Sequence, residues 1–218
     1  MPYDDLDRPP LDAGALRAAL TGPGRFWTDI VVTEQTGSTN ADVADAARSG
    51  APEGTVHATD LQVAGRGRLD RTWTSPAGSG ITVSVLLRPH EIPPARWVWL
   101  PLLVGLAVDA TVRELGVDCG LKWPNDVVAD QGKLAGILIA DSGEYDGPSV
   151  VRVGVGLNVR LSPAVLGQLD QPATDLATLC GGTPPDRNEL AARVIEHLRT
   201  GLLRFEQEGL APFAQDFA

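Results

Sequence analysis

Gly65-Arg66-Gly67-Arg68-Leu69-Asp70-Arg71-Thr72-Trp73 crowds three arginines into six positions and sets glycines beside them. Guanidinium forks pair with phosphate or carboxylate oxygens, and glycines let backbone N–H groups approach a ligand, so the chemistry on offer is the handling of a triphosphate or an acyl phosphate. A solvated surface loop accounts for the arginines and glycines equally well. It does not account for Trp73, whose ring beside a cationic cluster suits the stacking of a purine. Only two of the 18 basic residues are lysines, Lys122 and Lys133. Where arginine is the rule, a lysine can mark a position that needs a compact ammonium, although chance in an arginine-biased composition gives the same pattern.

Lys122 opens Lys122-Trp123-Pro124-Asn125-Asp126, a strand running into ordinary turn chemistry with Trp123 expected to fill the core beneath it. Lys133 stands at the mouth of the apolar strand Leu134-Ala135-Gly136-Ile137-Leu138, where Gly136 permits close approach from one side. Asn158, inside Val153-Gly154-Val155-Gly156-Leu157-Asn158-Val159, places an amide among apolar residues, where backbone groups or a base edge must satisfy it.

Several chemistries are excluded. The arginine segment is no dinucleotide fingerprint, because Asp70 replaces the third glycine and a strand follows where a helix should open. There is no G-x-x-x-x-G-K-[ST] phosphate loop, no G-x-S-x-G elbow and no H-E-x-x-H, and the three histidines lack partner spacing. With 28 acidic residues against 18 basic ones the net charge is −10, so sequence-blind binding of nucleic acid or of an anionic membrane is not expected. Cys119 and Cys180 stand far apart without ligand spacing, which argues against a disulfide framework or a metal site and for the cytoplasm.

The elements expected to hold these segments alternate between helix and strand. A helix is predicted over 12–20, a strand from Ile30, and an alanine-rich helix after Ser38 or Thr39 as cap. Strands follow over 55–61 and 81–87, separated by a long loop from Gln62 to Gly80. One long helix is predicted from Pro94 to about Leu115. Short strands come after it at 119–122, 127–128, 134–140 and 150–159. A loop-like stretch over 160–185 precedes a final helix over 186–208. This describes one α+β domain with a sheet of six or seven strands.

The order of the motifs is more specific than any one of them: Ser38-Thr39-Asn40, the segment from Gln62 through Trp73 to Ser75-Pro76, then KWPND, GKLAGIL and GVGLNV. That series resembles the biotin-protein ligase family over roughly Thr36 to Val159. The resemblance implies a mixed, largely antiparallel sheet packed against helices, of the class II aminoacyl-tRNA-synthetase type. It implies an ATP-dependent, AMP-forming ligase that makes biotinyl-5′-AMP and passes the biotinyl group to one lysine of a biotin carboxyl carrier domain. A lipoate or octanoate ligase and a non-catalytic biotin sensor are the alternatives. Carried over by position, Ser38, Thr39, Asn40, Gln62, Arg66, Gly67, Arg68, Lys133 and Gly136 look like the biotin site. Arg68, Arg71, Trp73, Lys133 and Asn158 look like the ATP site, and Arg68, Lys133 and Asp126 like the catalytic group. Asp126 orients the basic residues or a magnesium ion (Mg2+) brought in by ATP; no resident metal is implied, and Lys122 falls behind the contacting residues.

The resemblance also implies that the 62–80 loop and a second loop over 160–175 cover the intermediate. Asp70 stands where family loops carry glycine, so a left-handed backbone is expected there. Residues 1–210 are expected to form the catalytic core and 211–218 to begin a C-terminal module, without a DNA-binding domain, in a monomer or homodimer. Lys133→Ala is expected to abolish activation with little effect on the fold.

Overall fold

The computed structural model describes residues 8–69, 71–130, 132–141 and 150–213. In chain order the elements are α1 (Ala13–Leu20), β1 (Asp29–Thr36), α2 (Thr39–Arg48), β2 (Thr55–Gln62), β3 (Gly80–Leu87), α3 (Leu100–Arg113), β4 (Gly120–Lys122), β5 (Asp126–Ala129), β6 (Gly132–Asp141), β7 (Val151–Asn158), α4 (Pro163–Leu166), α5 (Leu176–Leu179) and α6 (Arg187–Glu208). The seven strands form one sheet in the order β1-β2-β3-β7-β6-β5-β4, parallel only between β1 and β2. The expected α+β class and largely antiparallel sheet are therefore what the chain adopts.

Strands that read as unbroken apolar runs turn out to be two-faced. Successive side chains of a strand point to opposite sides, so Val151, Val153, Val155 and Leu157 of β7 and Ile81, Val83 and Val85 of β3 face the main core. The alternate positions, Gly154, Gly156 and Asn158 on β7 with Thr82 and Ser84 on β3, line a cavity on the other face. α1, α3 and α6 cover the core face. On the cavity face α2 packs Val43 over Leu86 and Val150, a small second cluster that leaves the floor of the cavity bare.

The expected single helix from Pro94 is two pieces, a 3₁₀ turn Pro94–Trp99 followed by α3. Pro101 is the cause: it has no N–H to give back along the chain, so it suits the first turn of an α-helix but not its interior. The stretch Pro94–Arg113 is long and apolar enough by composition to cross a membrane, yet eight residues of α3 are buried in the core against the sheet and α6. Between 160 and 185 the chain makes two short helices, capped by Ser162 and Asp175. Residues 211–213 continue the core, with Phe213 buried edge-on to Phe205; residues 214–218 lie outside the described residues.

Candidate functional site

A cavity of about 900 Å3 opens where β6 and β7 meet the start of α2, the arginine segment and the 167–173 loop. Its back wall is built by a substitution of roles at the α2 N-terminus. Ser38 occupies the cap position but its hydroxyl makes no capping bond. The Oε1 of Gln62, arriving from the end of β2, instead accepts from the Thr39 N–H (2.8 Å) and hydroxyl (3.1 Å), and Thr39 also meets Ser84 Oγ at 2.8 Å. A helix-terminal N–H is thus satisfied from another strand, which leaves the buried Ser38 hydroxyl and the Gln62 NH2 for a ligand. Asn40 Nδ2 is buried there with no hydrogen-bond partner.

The floor is a pair of glycines. Gly136 and Gly156 face each other across β6 and β7, and the Trp73 indole lies on them. A Cβ on Gly156 would come within 2.4 Å of the ring, and one on Gly136 within 2.9 Å. Hydrogen in place of a side chain is what lets an aromatic plate seat flat on backbone. Trp73 Nε1 is buried without a partner, a second unspent donor in the cavity.

Lys133 stands over this plate, its ammonium 5.5 Å from the ring centroid and 2.7 Å from Asp126 Oδ1, with both side chains 18% exposed. It is therefore not a solvated strand end, and removing it would strand a mostly buried carboxylate. That changes the expectation for Lys133→Ala: some stability goes with the activity. Asn158 holds the same residue from behind. Its NH2 group donates to Lys133 O (3.2 Å) and Thr174 O (3.1 Å), so both amide hydrogens are spent on backbone and only Oδ1 can meet a base. Lys133 N–H in turn donates to Pro172 O at 2.9 Å, tying β6 to the 167–173 loop.

The opposite wall is the arginine segment, which folds back on itself. Gly67 N–H donates to Arg71 O (2.7 Å) and Trp73 N–H to Gly65 O (3.0 Å), with Arg66 bridged to Thr72. Arg66, Arg68 and Arg71 are exposed at the cavity and form no ion pair with any described residue; the same holds for Lys122. Lys122 thus lines the cavity rather than lying behind it. Among the described lining residues five cations face two carboxylates, Asp126 and Asp170, in a chain of net charge −10. The conformation expected of Asp70 lies outside the described residues; next to it, Leu69 is left-handed at φ 55 and 86% exposed.

Both feet of this segment meet at one buried ion pair. Arg187, at the start of α6, reaches Asp60 Oδ1 (2.6 Å), Gly80 O (3.1 Å) and Pro9 O (2.7 Å), while Gly78 N–H donates to Asp60 O at 3.1 Å. Sequence reading missed this anchor, and it missed Ser84 and Gly156. The last two had a signal: a polar or side-chain-free position recurring with period two inside an apolar run.

A model of the biotin/lipoate A/B protein ligase family matches residues 32–158, the span that builds this cavity. The chain belongs to that family. It is 44% identical over 206 residues to a biotin--[acetyl-CoA-carboxylase] ligase of Mycobacterium tuberculosis, covering 92% of this chain and 74% of that one. It is 37% identical to the bifunctional ligase/repressor of Escherichia coli, covering 71% of this chain and 47% of the other. Among solved structures it is similar to the Aquifex aeolicus biotin protein ligase in complex with biotin and ATP (TM-score 0.74, 28% identity, 88% and 77% of the chains). It is also similar to the Leishmania major ligase in complex with biotinyl-5-AMP (0.65, 25%, 87% and 81%). Against these biotin ligases, the lipoate-ligase and sensor alternatives are not favoured.

Proposed function

We propose that the chain joins biotin to ATP, giving biotinyl-5′-AMP and pyrophosphate, and then transfers the biotinyl group to a lysine of a biotin carboxyl carrier domain. The observation that carries this reading is a set of cations, Arg66, Arg68, Arg71 and Lys122, that make no ion pair among the described residues and line one cavity with Lys133. A carboxylate attacking an α-phosphorus brings two anions together, and the barrier falls when fixed positive charge meets them both. The new bond is carboxyl oxygen to phosphorus; the bond broken releases pyrophosphate. In the second step the acceptor amine attacks the acyl carbon, loses a proton and expels AMP.

Role by role, the Ser38 hydroxyl and the Asn40 and Gln62 amides suit the polar ureido ring, with Thr39 and Gly67 shaping the pocket around it. Arg68 and Lys133 suit the reacting carboxylate and α-phosphate, and Arg66, Arg71 and Lys122 the rest of the triphosphate. Trp73 already lies flat on Gly136 and Gly156, so stacking adenine on it needs little reorganisation. Asn158 Oδ1 can accept from the adenine amine. Asp126 holds Lys133 in place until anions compete for it. No group of three His, Cys, Asp or Glu among the described residues could cage a metal ion. Mg2+ would enter with the triphosphate and offset its charge, and Asp126 and Asp170 are the carboxylates among the described cavity-lining residues that could hold it. Both thiols are free, which suits a reducing cytoplasm.

The test is pyrophosphate release. Biotin with Mg-ATP should release pyrophosphate and leave a tightly held adenylate, and labelled biotin should move to a carrier domain only when its target lysine is present. Release with lipoate and none with biotin would reverse the substrate assignment.

A further inference from the structure

Trp123 was expected to fill the core beneath the Pro-Asn-Asp turn, and it does not: it is 62% exposed at the rim of the cavity. The turn that presents it is fastened. The backbones of Lys122 and Asp126 are register partners across the β4–β5 hairpin, and Asn125 is clamped to β6 twice, its Nδ2 donating to Ile137 O and its own carbonyl accepting from Ile137 N–H, each at 2.9 Å. A large indole is thus displayed on a backbone that has little freedom to stow it. Leu69, which lines the same cavity in a left-handed conformation, is likewise exposed. The same cavity is lined by Arg66, Arg68, Arg71 and Lys122, exposed and without an ion pair among the described residues.

Neither small ligand explains the display. Adenine has its plate in Trp73, the phosphates have the cations, and the biotin rings have the buried wall by Ser38 and Ser84. Once those ligands fill the cavity, the participant still to arrive is the one that brings the amine, and it meets only the rim. Rigidly held aromatic side chains are the usual anchors of such encounters, because they contribute large contact area with little entropy to lose. The local positive field, set against a chain of net charge −10, fits a partner whose surface is acidic around its lysine.

We propose that Trp123, with Leu69 of the same cavity, is the docking anchor for the acceptor protein, and that this acceptor is acidic on the face carrying its target lysine. The inference rests on the ligase reading above, and the two half-reactions separate their fates. With the full chain, biotin and Mg-ATP, pyrophosphate release is measured with hydroxylamine as a small trap for the adenylate. Transfer is measured to a purified biotin carboxyl carrier domain. Trp123→Ala should keep release into hydroxylamine within about twofold of the parent and lose about tenfold or more in kcat/KM for the carrier, mostly in KM. Trp123→Phe should recover most of that loss, and added salt should weaken carrier transfer more than hydroxylamine trapping.

Unchanged carrier transfer in Trp123→Ala overturns the docking role. An equal loss in both assays overturns it too, placing Trp123 in the nucleotide site, and a changed oligomeric state without a transfer defect gives the face to a second copy of the chain. Absence of biotin-dependent pyrophosphate release in the parent chain defeats the ligase reading itself, and docking with it.

Discussion

The two walls of the cavity hold their cations in opposite ways. On the sheet side Lys133 is paired with Asp126, laid over Trp73 and fixed from behind by Asn158. On the loop side Arg66, Arg68 and Arg71 are exposed and make no ion pair among the described residues, although the backbone beneath them is hydrogen-bonded and anchored through Asp60 and Arg187. A paired, mostly buried ammonium is already oriented and would lose little freedom if a ligand replaced its partner. Guanidinium groups without an ion pair among the described residues retain more freedom, which a polyanionic ligand would take up. In the proposed reaction this contrast assigns alignment to the sheet and capture with charge neutralisation to the loop.

If alignment belongs to the sheet wall, Lys133→Ala should give the largest effect: adenylate formation slowed by about 10² to 10³-fold, the scale of losing one fixed charge-stabilising donor. A lowered Tm should accompany it, because Asp126 is left without its cation; stopped-flow pyrophosphate release and calorimetry check the two parts. Next comes Gly156→Ala, whose methyl would stand where the Trp73 ring now sits. The KM for ATP should rise about tenfold or more with a smaller change for biotin, and an unchanged ATP KM would refute the seated-plate picture.

Arg71→Gln should act on capture alone. It should weaken ATP by about threefold to about tenfold and flatten the salt dependence of nucleotide binding, leaving Tm within about a degree. A stability loss as large as that of Lys133→Ala would erase the distinction between the walls. The smallest effect sits away from both, under α2. Burial pushes His57 below its ordinary value of 6.5, while Asp42 and Asp29 pull the other way. The unfolded chain takes up the proton first as pH falls, so this contribution to stability is full above pH 6.5 and declines as pH drops through the lower, folded value. His57→Gln should therefore flatten the fall of Tm on the acid side of neutrality, with activity above pH 7 unchanged.

Much of the frame was readable in the chain. Asp12 and Asp186 cap the helices predicted to begin there, whereas the turn capped by Asp175 lies in a stretch that reads as loop. β-branched runs marked the strands, and motif order picked out segments that the fold gathers around one cavity. The readings that changed did so where a distant group competed for a local one. Gln62 took over the capping of α2 from Ser38, Pro101 divided the helix expected from Pro94, and the backbone carbonyls of Lys133 on β6 and of Thr174 claimed the Asn158 amide.

Residue types and their order determined which charges and which plate are present, because the capacity of arginine to fork onto phosphate or of glycine to admit a ring belongs to the residue itself. Tertiary structure alone decided which cations are paired and which are bare, that Gly136 and Gly156 share one indole, and that Trp123 faces outward. Those outcomes depend on cross-strand register and on partners far away in sequence: Lys133 finds Asp126 across the β5–β6 ladder, and Asp60 finds Arg187 from 127 positions away. Local sequence carries no measure of such distances, since they arise only when the sheet closes.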